Sequence, residues 1–381
     1  MARRQRKIRA EFRKNRTVRT RRTDWTEQFH QDELGEDGPA RTERISGKGE
    51  LARRRTVTGQ SVSGDDGSTF GVRLDVDEAG CLAGRVLSVR GLANVIQAED
   101  GTIYRCATRR LLKTLSTNQR HVVVVGDRVL FRPVPGASQN EGVIERVEPR
   151  RGCISRTSGG RQHVLVANVQ QVLLVVSVAQ PRLKRELIDR VLVSAEKGRA
   201  EPILCINKID LVDPVSLMPL AGIYSQMGYR VLLLSAATGF GLSRMRQSLA
   251  GRQSVIVGQS GVGKSSLLNA LDPSLRLAVA AVSSENEKGR HTTTNARLVP
   301  LCFGGCVVDT PGMRQFQLWD VIPEEVAGFF RDLRPYVSRC KFPSCTHTHE
   351  TDCAIKNAVA DGRLDQRRYE TYCHLFAGDE G

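Results

Sequence analysis

The run GQSGVGKSS, residues 258–266, holds the densest chemistry in this chain. Gly258, Gly263, Lys264 and Ser265 meet the pattern G-x-x-x-x-G-K-[ST], directly after the apolar SVIV and before the helical-looking SSLLNAL. In that strand-to-helix setting the glycines let the backbone N–H groups of Gln259, Ser260, Gly261 and Val262 wrap a β-phosphate. The helix N-terminus, with Ser266 in its first turn, adds its positive end. Lys264 can span the β- and γ-phosphates, and Ser265 can ligate Mg²⁺. A second group, CKFPSCTHTHETDC, sets Cys340, Cys345, His347 and Cys353 at a C-x4-C-x-H-x5-C spacing. Three thiolates and an imidazole complete a tetrahedral zinc shell and leave no position for water, so that chemistry is structural. His349 stands close enough to be an alternative ligand. Cys302 and Cys306 flank an FGG turn and read as core residues on paired strands.

A phosphate loop does not choose a base. Asn207, Lys208 and Asp210, in NKID at the end of the run PILCI, resemble the N-K-x-D guanine-specificity motif of GTPases. A carboxylate at Asp210 can accept from both the N1–H and the 2-amino group of guanine, and adenine offers neither donor. Leaving such a carboxylate unpaired with the wrong base discriminates by roughly 10⁴ or more. Ser235 and Ala236, in LSAATGFG, resemble the loop that backs the guanine ring. DTPG, Asp309 to Gly312, resembles D-x-x-G, in which Asp309 reaches Mg²⁺ and the Gly312 N–H senses the γ-phosphate. EKGRHTTTNARL lies where a GTPase keeps its first switch and the threonine ligand to Mg²⁺. Thr293 is the expected ligand, with Thr292 and Thr294 beside it.

The elements that must position these loops alternate from about residue 168 onward. QVLLVVSVA, EPILCINKID, YRVLLLSA, SVIVGQSG and CVVDTPG read as buried strands ending in polar loops. LKRELIDRVLVSAEKG between the first two has helical spacing and a glycine stop. That rhythm defines a parallel sheet with helices on both faces. From Cys81 to about residue 150 short β-type runs separated by EDG and VGD turns read as a five-stranded closed barrel of the OB type, with Tyr104 and Phe131 available for base stacking. EEVAGFFRDLRPYV and DQRRYETYCHLF read as helices around the cysteine cluster. Residues 1–75, polar and without sustained periodicity, read as disordered.

At 381 residues the chain holds two or three domains. No run approaches the roughly 18 apolar residues of a membrane helix. The N-terminus lacks the apolar core of a secretory signal, so a cytoplasmic location is expected. The net charge is +16, and the first 22 residues hold 11 Lys or Arg against one acid, Glu11, which points to a polyanionic partner.

GTPases ordinarily run phosphate loop, switch threonine, D-x-x-G, N-K-x-D and S-A. Here N-K-x-D and S-A come first. With a barrel before it and a Cys/His cluster after it, the chain resembles the ribosome small subunit-dependent GTPases of the RsgA or YjeQ type over about residues 80–375. The resemblance implies a multidomain fold: an OB-fold barrel at 76–150, a circularly permuted α/β P-loop GTPase domain at 151–320 and a small helical zinc-binding domain at 321–381. It implies GTP, Mg²⁺ and one Zn²⁺ as cofactors, and selects His347 over His349 as the zinc ligand. The implied partners are the 30S subunit and 16S rRNA, without a membrane, and the chain is expected to be a monomer. The implied activity is GTP hydrolysis during late 30S maturation, stimulated by the subunit and followed by release. Met313 stands where Ras-type GTPases keep the water-orienting Gln. The resemblance gives that role to His291, with Lys264 and Thr293 completing the catalytic set. Rival readings are an ATP-dependent enzyme, opposed by Asp210, a GTP-binding RNA protein without hydrolysis, and a DNA-binding zinc protein, which the missing spaced His pair opposes.

Overall fold

The computed structural model describes residues 7–11, 54–61, 72–91, 93–114, 122–136, 140–158, 161–181, 183–277, 296–309 and 323–378. Three strands fall where the sequence suggests disorder: β1 (Lys7–Glu11), β2 (Arg54–Ser61) and β3 (Val72–Leu74), in one antiparallel sheet. The register sets Ile8 opposite Val57, and β2 centres on β-branched Thr56, Val57 and Thr58. Those residues favour a pleated backbone, a signal hidden by the surrounding arginines. Leu74 is buried in the barrel core, so the barrel packing begins before residue 76.

The barrel consists of β4 (Leu82–Arg90), β5 (Ala93–Ala98), β6 (Ile103–Thr108), β7 (Arg128–Pro133) and β8 (Glu141–Val147). Its order β4-β5-β6-β8-β7 closes through a β4–β7 pairing, with β6 and β8 parallel, and the short helix Arg110–Thr114 lies between β6 and β7. This is the OB arrangement. Val86, Ile96, Phe131 and Ile144 fill it, none of them measurably exposed. Phe131 is therefore no stacking platform, and Tyr104 packs on it at 5.0 Å between ring centroids. Alternation along β7 turns the Phe131 ring inward.

The hairpin β9 (Cys153–Ser158) and β10 (Arg161–Ala167) leads into the second sheet. This comprises β11 (Gln171–Ser177), β12 (Glu201–Asn207), β13 (Arg230–Leu233), β14 (Gln253–Val257), β15 (Arg297–Pro300) and β16 (Cys306–Asp309). Its spatial order is β13-β12-β11-β14-β16-β15, parallel except for β15. β11 is buried along its whole length. Val172, Leu174 and Val176 face one core, and Leu173 and Val175 face the other, as a strand covered by helices on both sides must. Helix Arg185–Lys197 packs on the first face through Ile188, Val191 and Leu192. Cys306 lies on β16, whereas Cys302 sits exposed in the β15–β16 turn rather than on a strand, because the chain reverses at Gly304 and Gly305.

The C-terminal region builds its own core from Phe330, Leu333, Ile355, Tyr372 and Leu375, joined by Val193 of helix Arg185–Lys197. The expected helix 324–337 is broken into Val326–Phe329 and Arg334–Val337, with Pro335 at the start of the second piece, where a missing N–H costs nothing. Gln366–Ala377 is continuous and capped by the Asp365 side chain, which accepts from Arg367 N. Among the described residues no helix is long and apolar enough to cross a membrane.

Candidate functional site

The loops singled out in the sequence leave the carboxyl ends of neighbouring parallel strands, where open α/β sheets bind ligands. Gly258 follows β14, Asn207 ends β12, Ser235 lies just past β13, and Asp309 ends β16. The phosphate loop needs its glycines. Gly258 (φ 150°) lies against the Val175 carbonyl and Gly263 (φ 94°) against the Asn207 side-chain amide, so a Cβ at either position would collide. Helix Lys264–Leu271 starts at the loop and offers its first N–H groups to whatever lies there. The Lys264 ammonium donates to the carbonyls of Gly258 (2.7 Å) and Gln259 (2.6 Å), folded over the loop that a phosphate would fill.

One hydrogen bond ties the base-reading residues to this loop, and a second ties them to the loop after β13. Asn207, 1% exposed, donates from Nδ2 to the Val262 carbonyl at 2.8 Å, and its Oδ1 is buried without a partner among the described residues. The buried Ser235 hydroxyl donates to Asp210 Oδ1 at 2.5 Å and accepts from Thr238 N at 3.1 Å. Asp210 itself is exposed, and Ala236, next to Ser235, is half-buried. Lys208 adopts the left-handed conformation (φ 63°) and donates to the Gln180 carbonyl at 2.6 Å. Sequence reasoning missed Gln180 and Val175, which act through carbonyls. The polar loop after β11 was the one available signal for Gln180. Gln259, Ser260, Gly261, Val262, Ser265 and Ser266 lie in the loop and the helix start. Gly312, His291, Thr293 and Met313 lie outside the described residues, and of Asp309 only the strand position is described.

The second site is in the C-terminal region. The ligand atoms of Cys340, Cys345, His347 and Cys353 all lie within 4.8 Å of one another. Cys340 Sγ is 3.9 Å from Cys353 Sγ, and His347 Nδ1 is 3.4 Å and 3.5 Å from those two sulfurs. A tetrahedron with Zn–S of about 2.3 Å and Zn–N of about 2.0 Å has edges of about 3.8 and 3.5 Å, which the three spacings among Cys340, His347 and Cys353 match, with Cys345 Sγ no more than 4.8 Å from each. Burial pushes the Cys345 thiol up and the His347 imidazole down. A cation reverses the penalty on the thiolates. Tyr369 and Tyr372 donate to the His347 and Thr346 carbonyls at 2.8 and 2.6 Å and brace the loop. The His349 side chain, 80% exposed, turns instead to the Thr346 and Thr348 hydroxyls.

Fold and site together define a P-loop GTP-binding protein with circularly permuted motifs, a barrel before the sheet and a Cys/His cluster after it. The RsgA GTPase family model matches residues 147–319. A relative from Sodalis glossinidius (strain morsitans), named small ribosomal subunit biogenesis GTPase RsgA, is 41% identical over 303 residues, covering 77% of this chain and 84% of its own. Its namesake from Yersinia enterocolitica is 40% identical over 307 residues, 78% and 85% of the two chains. The crystal structure of YjeQ from Thermotoga maritima superposes with a TM-score of 0.64 at 36% identity, over 78% of this chain and 98% of that one. YloQ, described as a circularly permuted GTPase, gives 0.62 at 29% identity, over 80% and 96%. The chain belongs to the RsgA GTPase family.

Proposed function

We propose that this chain is a cytoplasmic, monomeric factor that binds the small ribosomal subunit through 16S rRNA, acts late in 30S maturation, and hydrolyses GTP with subunit-stimulated turnover. One observation carries the nucleotide reading: Asn207 hydrogen-bonds the base-reading loop to the phosphate-holding loop, and Ser235 hydrogen-bonds Asp210 to the loop after β13, so the three loops meet at the strand ends. The ribosomal reading is supported by the names of the relatives and by the net charge of +16. The domains are assigned as 76–150, 151–320 and 321–381 after the N-terminal extension, whose Leu74 joins the barrel core.

Asp210 accepts from the guanine edge, positioned by Ser235, with Lys208 and Ala236 along the ring. Gly258 to Gly263 supply backbone donors to the phosphates. Lys264 exchanges its two loop carbonyls for phosphate oxygens. Ser265, Thr293 and Asp309 would hold Mg²⁺, which neutralises charge on the β- and γ-phosphates when bound. His291 orients the water that attacks the γ-phosphorus, the bond to the bridging oxygen breaks, and GDP and phosphate leave. Gly312 senses whether the γ-phosphate is present. Cys340, Cys345, His347 and Cys353 hold a structural zinc.

The test is hydrolysis measured with and without 30S particles, in the unchanged chain and in His291→Ala. The expected result is slow turnover alone, strong stimulation by the subunit, and loss of most stimulated turnover in the variant with GTP binding kept. Equal rates with and without 30S would overturn the ribosomal reading. Normal stimulated turnover in His291→Ala would remove His291 from the mechanism.

A further inference from the structure

The barrel and the GTPase sheet are joined edge to edge. β15 pairs on one side with β16 and on the other with barrel strand β4, so the two domains share one continuous eleven-stranded sheet. The joint passes through one residue. Arg297 pairs across β15–β16 with Asp309, and across β15–β4 with Ser88. Asp309 heads the DTPG motif. Arg297 follows the segment that contains GRHTTT.

The local structure of β4 suits this joint. Its pairing with β5 shifts register between Val86 and Ser88, a bulge centred on Leu87. Bulges re-aim side chains and leave backbone groups free to pair elsewhere. Val86 belongs to the barrel core, whereas Leu87, 9% exposed, belongs to the GTPase core that also holds Leu298 of β15 and Val308 of β16. Val89 packs against that core too, and Arg85 reaches Cys306 Sγ of β16 at 3.7 Å. A strand that supplies side chains to two cores cannot shift in one without disturbing the other, because packed interiors are close to incompressible.

We propose that Leu87 is a positioning residue through which the nucleotide state of the GTPase domain sets the seating of barrel strand β4, by way of the Asp309–Arg297–Ser88 ladder. This rests on the reading that GTP occupies the phosphate loop. Linkage makes the effect reciprocal: a nucleic-acid partner that shifts β4 biases Asp309 by the same coupling.

The experiment is hydrogen–deuterium exchange on the full-length chain with GDP or a non-hydrolysable GTP analogue, following peptides that span β4. Binding of both nucleotides is measured separately with fluorescent derivatives. Exchange in β4 is expected to slow at least about fivefold with the GTP analogue, the low end of ordinary coupling. Leu87→Ala should abolish that difference while binding both nucleotides, and Leu87→Met should restore it. Val86→Ala, which truncates the neighbouring side chain inside the barrel core, should keep it. A bound chain whose β4 exchanges equally in both states overturns the proposal, even if Leu87→Ala proves too unstable to study. Retention of the difference in Leu87→Ala, or its loss in Val86→Ala, overturns it as well. Failure to bind guanine nucleotides would show in the binding measurement and overturn the underlying reading with it.

Discussion

The GTPase domain is gripped on two sides by opposite means. The barrel joins it chiefly through backbone, in a shared sheet and in the loop before β7, where Ala167 N donates to the Val125 carbonyl. A strand serving two cores and Asn168 Nδ2, which donates to the Gly126 carbonyl, add side chains to the joint. The C-terminal region joins it through side chains that fasten it to helix Arg185–Lys197. The Arg368 guanidinium donates twice to Asp332, at 3.0 and 2.8 Å, and lies 2.6 Å from Asp189 of that helix, which also accepts from the Tyr224 hydroxyl. Arg331 donates to Glu196 at 2.6 Å and to the Gly228 carbonyl, and stacks over the Tyr229 ring at 4.4 Å. A ladder passes on strand displacements. A clasp of charges holds one geometry or lets go, because a buried charge without its partner is costly.

The largest expected effect tests whether the C-terminal region is a separable unit. Cys345→Ala, or removal of zinc by a chelator, should unfold it, since structural zinc contributes apparent free energies of about 10–16 kcal/mol. The barrel and GTPase sheet, joined to each other by backbone, should keep their unfolding transition and their nucleotide affinity. Metal analysis and nucleotide titration check both parts. Full zinc content in Cys345→Ala would refute the ligand set.

Next comes the clasp. Arg368→Ala leaves the carboxylates of Asp189 (4% exposed) and Asp332 (11%) facing each other across the buried seam. A loss of about 3–5 kcal/mol is expected in denaturant unfolding of the full chain. Restoring charge balance with Asp189→Asn in the same chain should recover part of it. A loss below 1 kcal/mol would mean that Val193 and its apolar neighbours hold this interface.

On the barrel side, Leu298→Ala truncates a fully buried β15 side chain, at an expected cost of about 2–4 kcal/mol. Because the seam is shared, barrel and GTPase signals should shift together. Separate transitions, one moving and one fixed, would show that the continuous sheet is continuous in geometry alone.

The two grips also differ in how much of them the sequence discloses. The phosphate and base loops are punctuated by Gly, Lys, Asn and Asp at fixed offsets, and the candidate metal cluster by Cys and His, because each residue type is demanded by the ligand it would hold. The order β11, β12, β13, β14, β16 was legible too, since buried parallel strands are apolar runs with nothing else to explain them. The interfaces leave no such mark. Leu87 reads like any strand leucine, and its bulge exists only against β5 and β15. Arg368, Asp189 and Asp332 look like surface charges on amphipathic helices, 36 and 143 residues from one another along the chain. Strand β1 was hidden for a related reason: its pairing partner β2 lies more than 40 residues away, and both sit in arginine-rich sequence.

The smallest expected effect lies within the C-terminal interface itself. Lys197 and Glu325 also cross it, at 3.6 Å, but their side chains are 24% and 51% exposed. Water screens that attraction, and ordering two long side chains costs entropy, so such pairs contribute between nothing and about 1 kcal/mol. A double-mutant cycle on Lys197→Ala and Glu325→Ala should return a coupling below about 0.5 kcal/mol that fades further in 0.5 M salt, where the Debye length is about 4 Å against about 30 Å in dilute buffer. The same cycle on Arg331 and Glu196, 26% and 17% exposed with the guanidinium also stacked on Tyr229, should return a larger value. Burial, not the number of charge pairs, would then set the strength of the clasp. Equal couplings for the two pairs would make the interface a diffuse electrostatic contact, and its contrast with the barrel seam would lose its basis.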